Sequence, residues 1–544
     1  MPRTEMFRFL RRVAVDHAAA DRLGVPVLEF REARLAREAG TFSRRTVLKI
    51  GGAVGGAALL LGVPRRAAAA PVVKGDKPRV AIVGAGIAGL NAALTLADAG
   101  IPSTVYEATD GVGGRMYSER AYWDAHQVSE YGGERIDTGH TVIRDLCARF
   151  GIGLTDVRAA APKGSHDVLF FDGAFHSHKQ FVQDFGPVYK ALQDDIAKAP
   201  DFPTWDASTP ASTALSNMSV QEWIATRVPG GYHTWLARFI DDAYVIEYGR
   251  ETWDQTAVNL VYLLAEQGDL NNPEIWGGSD ETFHITGGNQ RLPEAIAGHL
   301  PDGTVRHGWR LDAIVRNADG TQTLTFNGHK QITADRTILT VPLGVLKRID
   351  YRRAGFDPRM KAAIANLTMG FNTKLNMQFT DRPWLGRGPW PGTSTGSSFS
   401  DTGYQQIWDA TAGQAGTAGI AIQYGGGERA QEFQPGKPFA TSSDPYVRAA
   451  VHRKLRQYEA VLPGITRHWT GKATLSAWHL NPYSHGAYSC FPVAYCHLYA
   501  GYEGQHQGNI HIAGEHTSLD FQGFMNGGAE SGARAASEVL AALR

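Results

Sequence analysis

The sequence predicts an α/β fold: a Rossmann-like dinucleotide-binding domain accompanied by a mixed-sheet domain and a helical insertion. Three observations carry this expectation. An apolar run, R-V-A-I-V, leads straight into G-A-G-I-A-G-L, so a strand meets the glycines Gly84, Gly86 and Gly89 and then a helix. A second strand, over residues 103–106, ends on an acid, Glu107. Beyond these, strand-like and helix-like hydrophobic patterns alternate through the rest of the chain.

The spacing of the first segment assigns each glycine a task. Gly84 permits the tight turn, Gly86 lets a pyrophosphate approach the backbone, and Gly89 lets helix and strand pack closely. The helix that follows presents free N–H groups and a partial positive charge to the phosphates. Glu107 stands where the fingerprint needs a carboxylate to accept hydrogen bonds from an adenosine ribose. Gly113-Gly114-Arg115 then offers a flexible turn and a guanidinium within reach of a second phosphate. Near the other end, I-H-I-A-G-E-H-T-S-L-D-F-Q-G-F-M-N-G-G-A-E reads as a strand, a turn carrying Gly514 and Glu515, a loop, and a helix from about residue 526.

Between these segments, helical patterns fall at 141–150, 182–197, 220–224, 232–248 and 256–266, with a Pro/Ser/Thr-rich loop at 200–214. Strand signals follow at 311–315, 321–326 and 336–341, then at 374–379, 405–409 and 419–424, with a helix at 445–462. The 544 residues suffice for about two or three domains with full-sized cores. Basic and acidic residues balance at 54 each, so no nucleic-acid footprint is present. The three cysteines, Cys147, Cys490 and Cys496, are too few for a disulfide framework and lack zinc-ligand spacing, so no metal is expected.

The N-terminus reads as separate from the catalytic fold. Ser43-Arg44-Arg45-Thr46-Val47-Leu48-Lys49, a Gly/Ala/Leu run to Val63, Arg65-Arg66 and then four alanines look like a twin-arginine export signal over 43–70. Export to the periplasm or the medium is therefore expected. The apolar run is shorter than the about 20 residues of a membrane span, so no stable membrane anchor is expected. The preceding 1–42, rich in Ala, Arg and Glu at helical spacing, also permits a second reading: a retained helical arm on a cytoplasmic protein.

From about Lys77 onward the chain resembles the flavin amine oxidase family, which includes monoamine oxidases and L-amino acid oxidases. The motifs G-A-G-I-A-G-L, G-G-R, I-T-G-G-N-Q-R-L-P, V-P-L-G-V-L, N-T-K-L-N-M-Q-F, W-H-L-N-P-Y-S-H-G-A-Y and A-G-E-H-T-S occur in the family's order. The resemblance implies an FAD-binding domain in three pieces (76–140, 281–345 and 475–544), a helical substrate-entry domain (141–280) and a substrate-binding domain (346–474). It assigns FAD contacts to Gly84, Gly86, Gly89, Glu107, Gly114, Arg115, Gly133, Trp478, Gly514 and Glu515. Glu515 would meet the ribityl–phosphate arm, and the last helix would aim its positive end at the isoalloxazine carbonyl edge. Relatives with covalent flavin carry G-C-Y where this chain has Gly486-Ala487-Tyr488, so the FAD is expected to be non-covalent; a link through nearby Cys490 is the minor alternative.

By the same resemblance, Lys374 would hold a water beside the flavin, Arg135 and Tyr424 would bind a substrate carboxylate, and Tyr488 and Phe524 would flank the amine. Gly523 would keep the backbone close to the substrate. Plainer readings stand beside these. Lys374 could be a solvated strand-edge lysine, Arg135 an ion-pair partner of Glu134 or Asp137, and Trp478 simple core packing. His516 suits a satisfied loop histidine better than a proton relay. Asp241, Asp242 and Glu247 could pair with a basic substrate such as L-arginine or L-lysine, or form a solvated helix face. The expected activity is oxidative deamination of L-amino acids by dioxygen to 2-oxo acids, ammonia and hydrogen peroxide, in a homodimer. The rivals are a monoamine or polyamine oxidase, an amino-acid monooxygenase, and a flavin-bound interaction protein without turnover.

Overall fold

The computed structural model describes residues 78–543; the extension over 1–42 and the twin-arginine-like region over 43–70 lie outside the described residues. Val80–Val83 is buried at every position, as a strand covered on both faces of a parallel sheet must be. It pairs in parallel with Ser103–Tyr106 on one side and Arg336–Leu339 on the other. Ile510–Ile512 and Val305–Arg306 complete a five-stranded parallel sheet. Its strands come from three stretches far apart in sequence, so neither end of the chain can build it alone.

Helix Ile87–Asp98 crosses this sheet against the last helix, Met525–Ala542. The two approach backbone to backbone: a Cβ on Gly532 would lie 2.0 Å from the Ala88 carbonyl oxygen. Asn91 Nδ2 donates to the Ala529 carbonyl across the same contact at 2.8 Å.

The second large element is a mixed sheet of nine strands with Asn372–Phe379 near its middle, between Trp469–Ala477 and Gly419–Gly426. In N-T-K-L-N-M-Q-F the strand period of two separates two faces. Leu375, Met377 and Phe379 pack over helix Pro445–Tyr458 with Val447, Val451 and Leu455. Lys374, Asn376 and Gln378 point the other way and are buried as well. Burial of polar groups requires partners: Asn376 Nδ2 donates to Thr474 Oγ1 at 3.0 Å and Gln378 Nε2 to Gln127 Oε1 at 2.9 Å.

The stretch 141–280 is not helical throughout. His166–Phe171 and Ala174–His176 are strands that extend the nine-stranded sheet, the first pairing in parallel with Ser394–Ser400. The expected loop over 200–214 also gives way, because Pro210–Asn217 is a helix. Its Thr, Pro and Ser residues are start signals: Thr209 caps Ser212 N, Ser212 bonds back in a capping box, and Pro210 opens the first turn. Trp469–Ala477, unanticipated from the sequence, crosses the expected boundary at 474. Helix Trp235–Tyr248 and helix Ala257–Leu264 are largely or wholly buried, and Trp223 Nε1 donates to Asp195 Oδ2 at 2.8 Å in the same layer. Among the described residues, no helix is long and apolar enough to cross a membrane and no His/Cys/Asp/Glu group could hold a metal ion.

Gly532→Ala tests the helix contact. Alanine gains about 1 kcal/mol of helix propensity, but its Cβ would meet a backbone oxygen that cannot move alone. The net result is expected to be a loss of about 1–3 kcal/mol, read as a lower urea midpoint at unchanged slope. An unchanged midpoint would mean the helices part freely.

Candidate active site

A cavity of about 670 Å³ lies where the parallel sheet, the central lysine strand and the last helix meet. Its inner end is built from backbone. Gly84 has φ +106°, and a Cβ there would lie 2.6 Å from Thr340 Oγ1; a Cβ on Gly89 would lie 2.0 Å from the Gly84 oxygen. Glu107 Oε2 accepts from Ala85 N at 2.7 Å, and its Oε1 accepts from Thr109 N and Oγ1, both at 2.8 Å. These bonds hold the carboxylate in place beside the turn. Gly86 caps helix Ile87–Asp98 with no side-chain hydrogen bond and no acid in the first turn. Gly86, Ile87 and Ala88 line the cavity, so the unsatisfied N–H groups of that turn open onto it. The last helix repeats the arrangement: Phe524 caps it without a side-chain bond, and Gly523, Phe524, Met525 and Gly528 line the cavity. Two uncapped helix N-termini, a bare glycine turn and an oriented acid fit an elongated ligand with phosphates in its middle.

Arg115 and Glu515 join the two ends of the chain. Arg115 Nη1 donates to Glu515 Oε1 and to the Ala487 carbonyl, each at 2.8 Å. Glu515 also accepts from Ser489 N at 3.2 Å, Ser489 Oγ at 2.7 Å and Gly523 N at 3.0 Å. With two bonds on each oxygen its acceptor positions are engaged, so within the protein it acts as a clamp on Arg115, Ser489 and Gly523. Burial pushes its carboxyl up, but the Arg115 guanidinium and neighbouring donors outweigh that and hold it below the usual range. Gly114 sits at φ +59° against Gly86, and Gly133 leaves room for Met525, whose Cγ would lie 2.9 Å from an added Cβ. Trp478 lines the cavity and donates its Nε1 to the Tyr131 carbonyl at 2.7 Å. It therefore serves both as cavity wall and as part of the small Tyr131–Ala487 cluster.

At the outer end, Lys374 is no strand-edge lysine. It is 5% exposed in the middle of the nine-stranded sheet. Its Nζ donates to Glu134 Oε2 at 2.7 Å and to the Gly132 carbonyl at 2.8 Å. Two of three N–H bonds are thus used, leaving one. Glu134 Oε1 accepts from Trp408 Nε1 at 2.9 Å. Burial pushes the Glu134 carboxyl up, yet Lys374, Arg135 and His284 together hold it at about 2. Tyr424 is the direct cross-strand partner of Lys374 and so shares its face. The Tyr424 hydroxyl lies 3.0 Å from that of Tyr488, which donates to the Ile246 carbonyl at 3.0 Å; the Tyr424 proton therefore rests on Tyr488.

Arg135 lies on the cavity wall with Tyr424. Its Nη2 donates to the Asp409 carbonyl at 3.3 Å and its Nε lies 3.7 Å from Glu134 Oε1. Asp137 is not its partner, since that carboxylate is bonded by Ser279 Oγ and Glu281 N. Tyr488, Gly523 and Phe524 line the same wall, with the Phe524 ring 4.9 Å from that of His140. His516 is buried behind the wall; among the described residues its ring nitrogens have no hydrogen-bond partner, and burial pushes it down to about 4. Neither a relay nor a satisfied loop histidine describes it. Cys490 is also behind the wall, its thiol pushed up to about 12 by burial, whereas Ala487 faces the cavity.

The acids of helix Trp235–Tyr248 form no solvated face. Asp241 accepts from Tyr232 Oη at 2.7 Å and from Thr252, and Asp242 accepts from Gln405 at 3.3 Å. Only Glu247 reaches the cavity. Trp408, Thr340 and Glu281 also stand on the wall, beyond the residues the sequence points to. Thr340 directly follows strand Arg336–Leu339 and precedes V-P-L-G-V-L, a signal by which it can be found; Trp408 and Glu281 carry no local signal.

Comparison with known proteins places this arrangement. The family described as "Flavin containing amine oxidoreductase" matches residues 87–540. "Polyamine oxidase 4" of Oryza sativa subsp. japonica is 26% identical over 90% of this chain and 92% of its own length. An "L-amino-acid oxidase" of Sistrurus catenatus edwardsii is 24% identical over 85% of this chain and 86% of its own. "Lysine-specific histone demethylase 1 homolog 2" of Arabidopsis thaliana is 27% identical, and the match spans 86% of this chain but only 59% of that protein. Among solved structures, putrescine oxidase shares the fold at TM-score 0.69 and 20% identity, over 85% of this chain and 99% of its own. The glycine turn, the paired helix N-termini and the buried lysine thus sit in a chain that belongs to the flavin-containing amine oxidoreductases.

Proposed function

We propose that this chain is an FAD-dependent L-amino acid oxidase with non-covalent cofactor. Arg135 carries the reading: a guanidinium on the cavity wall, held from behind by the Asp409 carbonyl, with donors to spare for a carboxylate. The two helix N-termini and Glu107 would hold the pyrophosphate and ribose, and Ala487 in place of a cysteine supports a non-covalent fit. When bound, FAD supplies a two-electron sink that dioxygen reoxidises with release of hydrogen peroxide.

The chain's own residues would do the rest. Arg135 takes the substrate carboxylate in a two-pronged contact, and Tyr424 adds a third bond by turning its proton from Tyr488 toward it. Tyr488 and Phe524 flank the amine, which must be neutral to give up its α-hydrogen with the electron pair. The remaining N–H of Lys374 holds the water that adds to the resulting imine. The net reaction is amino acid plus dioxygen plus water to 2-oxo acid, ammonia and hydrogen peroxide. The twin-arginine-like run supports export of the folded flavoprotein.

A diamine or polyamine oxidase is the second reading, supported by the acids on the cavity wall. Arg135→Ala separates the two. For an amino acid oxidase it is expected to cut kcat/KM by about 30-fold or more, since a charge-assisted contact worth about 2 kcal/mol or more is lost. An amine oxidase would keep its rate. Peroxide release with L-amino acids and amines in parallel reads this out; full activity of the variant on amino acids would sink the assignment.

Glu134→Gln tests the lysine's anchor. Removing one charge of a buried pair is expected to cost about 3–5 kcal/mol of stability and to lower kcat, because Lys374 loses its orientation. Urea unfolding and steady-state rates check both. A variant of wild-type stability would mean the pair is not closed in solution.

A further inference from the structure

We propose that Glu247 and Glu281 receive a cationic group at the far end of the substrate's side chain, so that the substrates of this site are L-amino acids bearing an ammonium or guanidinium. The orientation rests on the reading above, with the carboxylate at Arg135.

Both glutamates stand on the wall shared by the reaction cavity and a neighbouring chamber of about 660 Å³, together with Arg135, Trp408 and Tyr424. A side chain attached to a carbon held at Arg135 and Tyr424 has this chamber as its outlet. Glu247 lies in the last turn of helix Trp235–Tyr248, where the helix dipole adds negative potential and favours a cation. Glu281 is held at φ +44°, a left-handed conformation costly for a glutamate, with its N–H bonded to Asp137 Oδ1 at 2.9 Å. Their surroundings are otherwise settled. Glu134 is paired with Lys374, Glu274 with Arg158 at 2.6 Å, and Asp409 accepts from Thr411 at 2.7 Å. Among the described residues, neither the Glu247 nor the Glu281 carboxyl has an ion pair within 4 Å or a side-chain hydrogen bond.

Two half-buried carboxyls that face one cavity without an ion-pair partner among the described residues are an incomplete arrangement. Burial, and then the charge of Glu281, push Glu247 up to about 8; burial pushes Glu281 up to about 7 against the pull of Arg135. A substrate cation between them supplies the missing partner. Phe239, Trp276 and Trp408 line the chamber and offer apolar faces to the methylene stem.

The test uses the purified yellow holoenzyme and peroxide release at pH 8. L-Lysine and L-norleucine differ little in length but one carries the distal charge; cadaverine and pentylamine form the matching pair without a carboxylate. The wild type is expected to favour lysine over norleucine by about 30-fold or more, and Glu247→Gln and Glu281→Gln to collapse that ratio. Bound-flavin absorbance and melting temperature show whether each variant is folded. A wild type that takes norleucine as well as lysine overturns the proposal without any variant, while leaving the L-amino acid reading in place. Retention of the lysine preference in both folded variants overturns it too. Inert amino acids with cadaverine preferred over pentylamine would overturn the carboxylate reading and uphold the glutamate receptor.

Discussion

The ion pair between Glu134 and Lys374 joins the two halves of this active site. Glu134 comes from the loop behind the dinucleotide turn, and Lys374 from the middle of the nine-stranded sheet, 240 positions away. Desolvating a carboxylate and an ammonium costs several kcal/mol each, which only complete geometry can offset. Here each partner has a second bond, and the lysine keeps one N–H for the cavity. Glu134 also accepts from Trp408, and Lys374 donates to the Gly132 carbonyl. Arg135 follows Glu134 in the chain, so the pair that sets the lysine also sets the guanidinium. Any shift of the sheet against the parallel-sheet core would displace the two together.

The cofactor end depends on backbone rather than on side chains. Gly84, Gly89 and Gly532 occur where a methyl group would fall within 2.0–2.6 Å of another residue's atoms. These approaches bring two helix N-termini onto one cavity. Arg115 and Glu515 then tie the second glycine turn to the last strand's exit. Phosphate recognition and the closing of the chain on itself are therefore one structural event: the last helix packs on the first, and both point their uncapped ends at the same space.

The substrate end is decided by charge. Of the cations near Glu134 and Glu515, Arg115 and Lys374 are closely paired to carboxylates, and Arg135, 3.7 Å from Glu134 through its Nε, keeps donors free. Of the carboxylates there, Glu107, Glu134 and Glu515 are bonded, and among the described residues Glu247 and Glu281 have neither an ion pair nor a side-chain hydrogen bond. On the proposed reading, a zwitterion with a second positive charge would complement that pattern. Polyamine oxidases, L-amino acid oxidases and demethylase homologues all resemble this chain at 24–27% identity. Differently named activities thus occur among relatives of one family, which is why family membership alone leaves the substrate open.

The parts legible in the sequence are those whose physics is local. The strand–glycine–helix segment reads directly, because its φ values and close contacts demand glycine at fixed spacing. The alternation in N-T-K-L-N-M-Q-F likewise separates two faces before any fold is known. The motif order pointed to the family and brought Arg135, Tyr424, Tyr488 and Phe524 forward as candidates. Tertiary structure alone decided what those residues do to one another. No pattern shows that Lys374 is buried rather than at an edge, that Glu134 prefers it to Arg135, or that Glu281 comes beside Glu247 from 34 positions away. Nor could composition show that a Pro/Ser/Thr-rich stretch begins a helix, or that Asp241 and Asp242 are engaged while Glu247 is not. Those are long-range pairings, set by which surfaces the packed sheets leave to face each other, and a one-dimensional pattern carries no term for them.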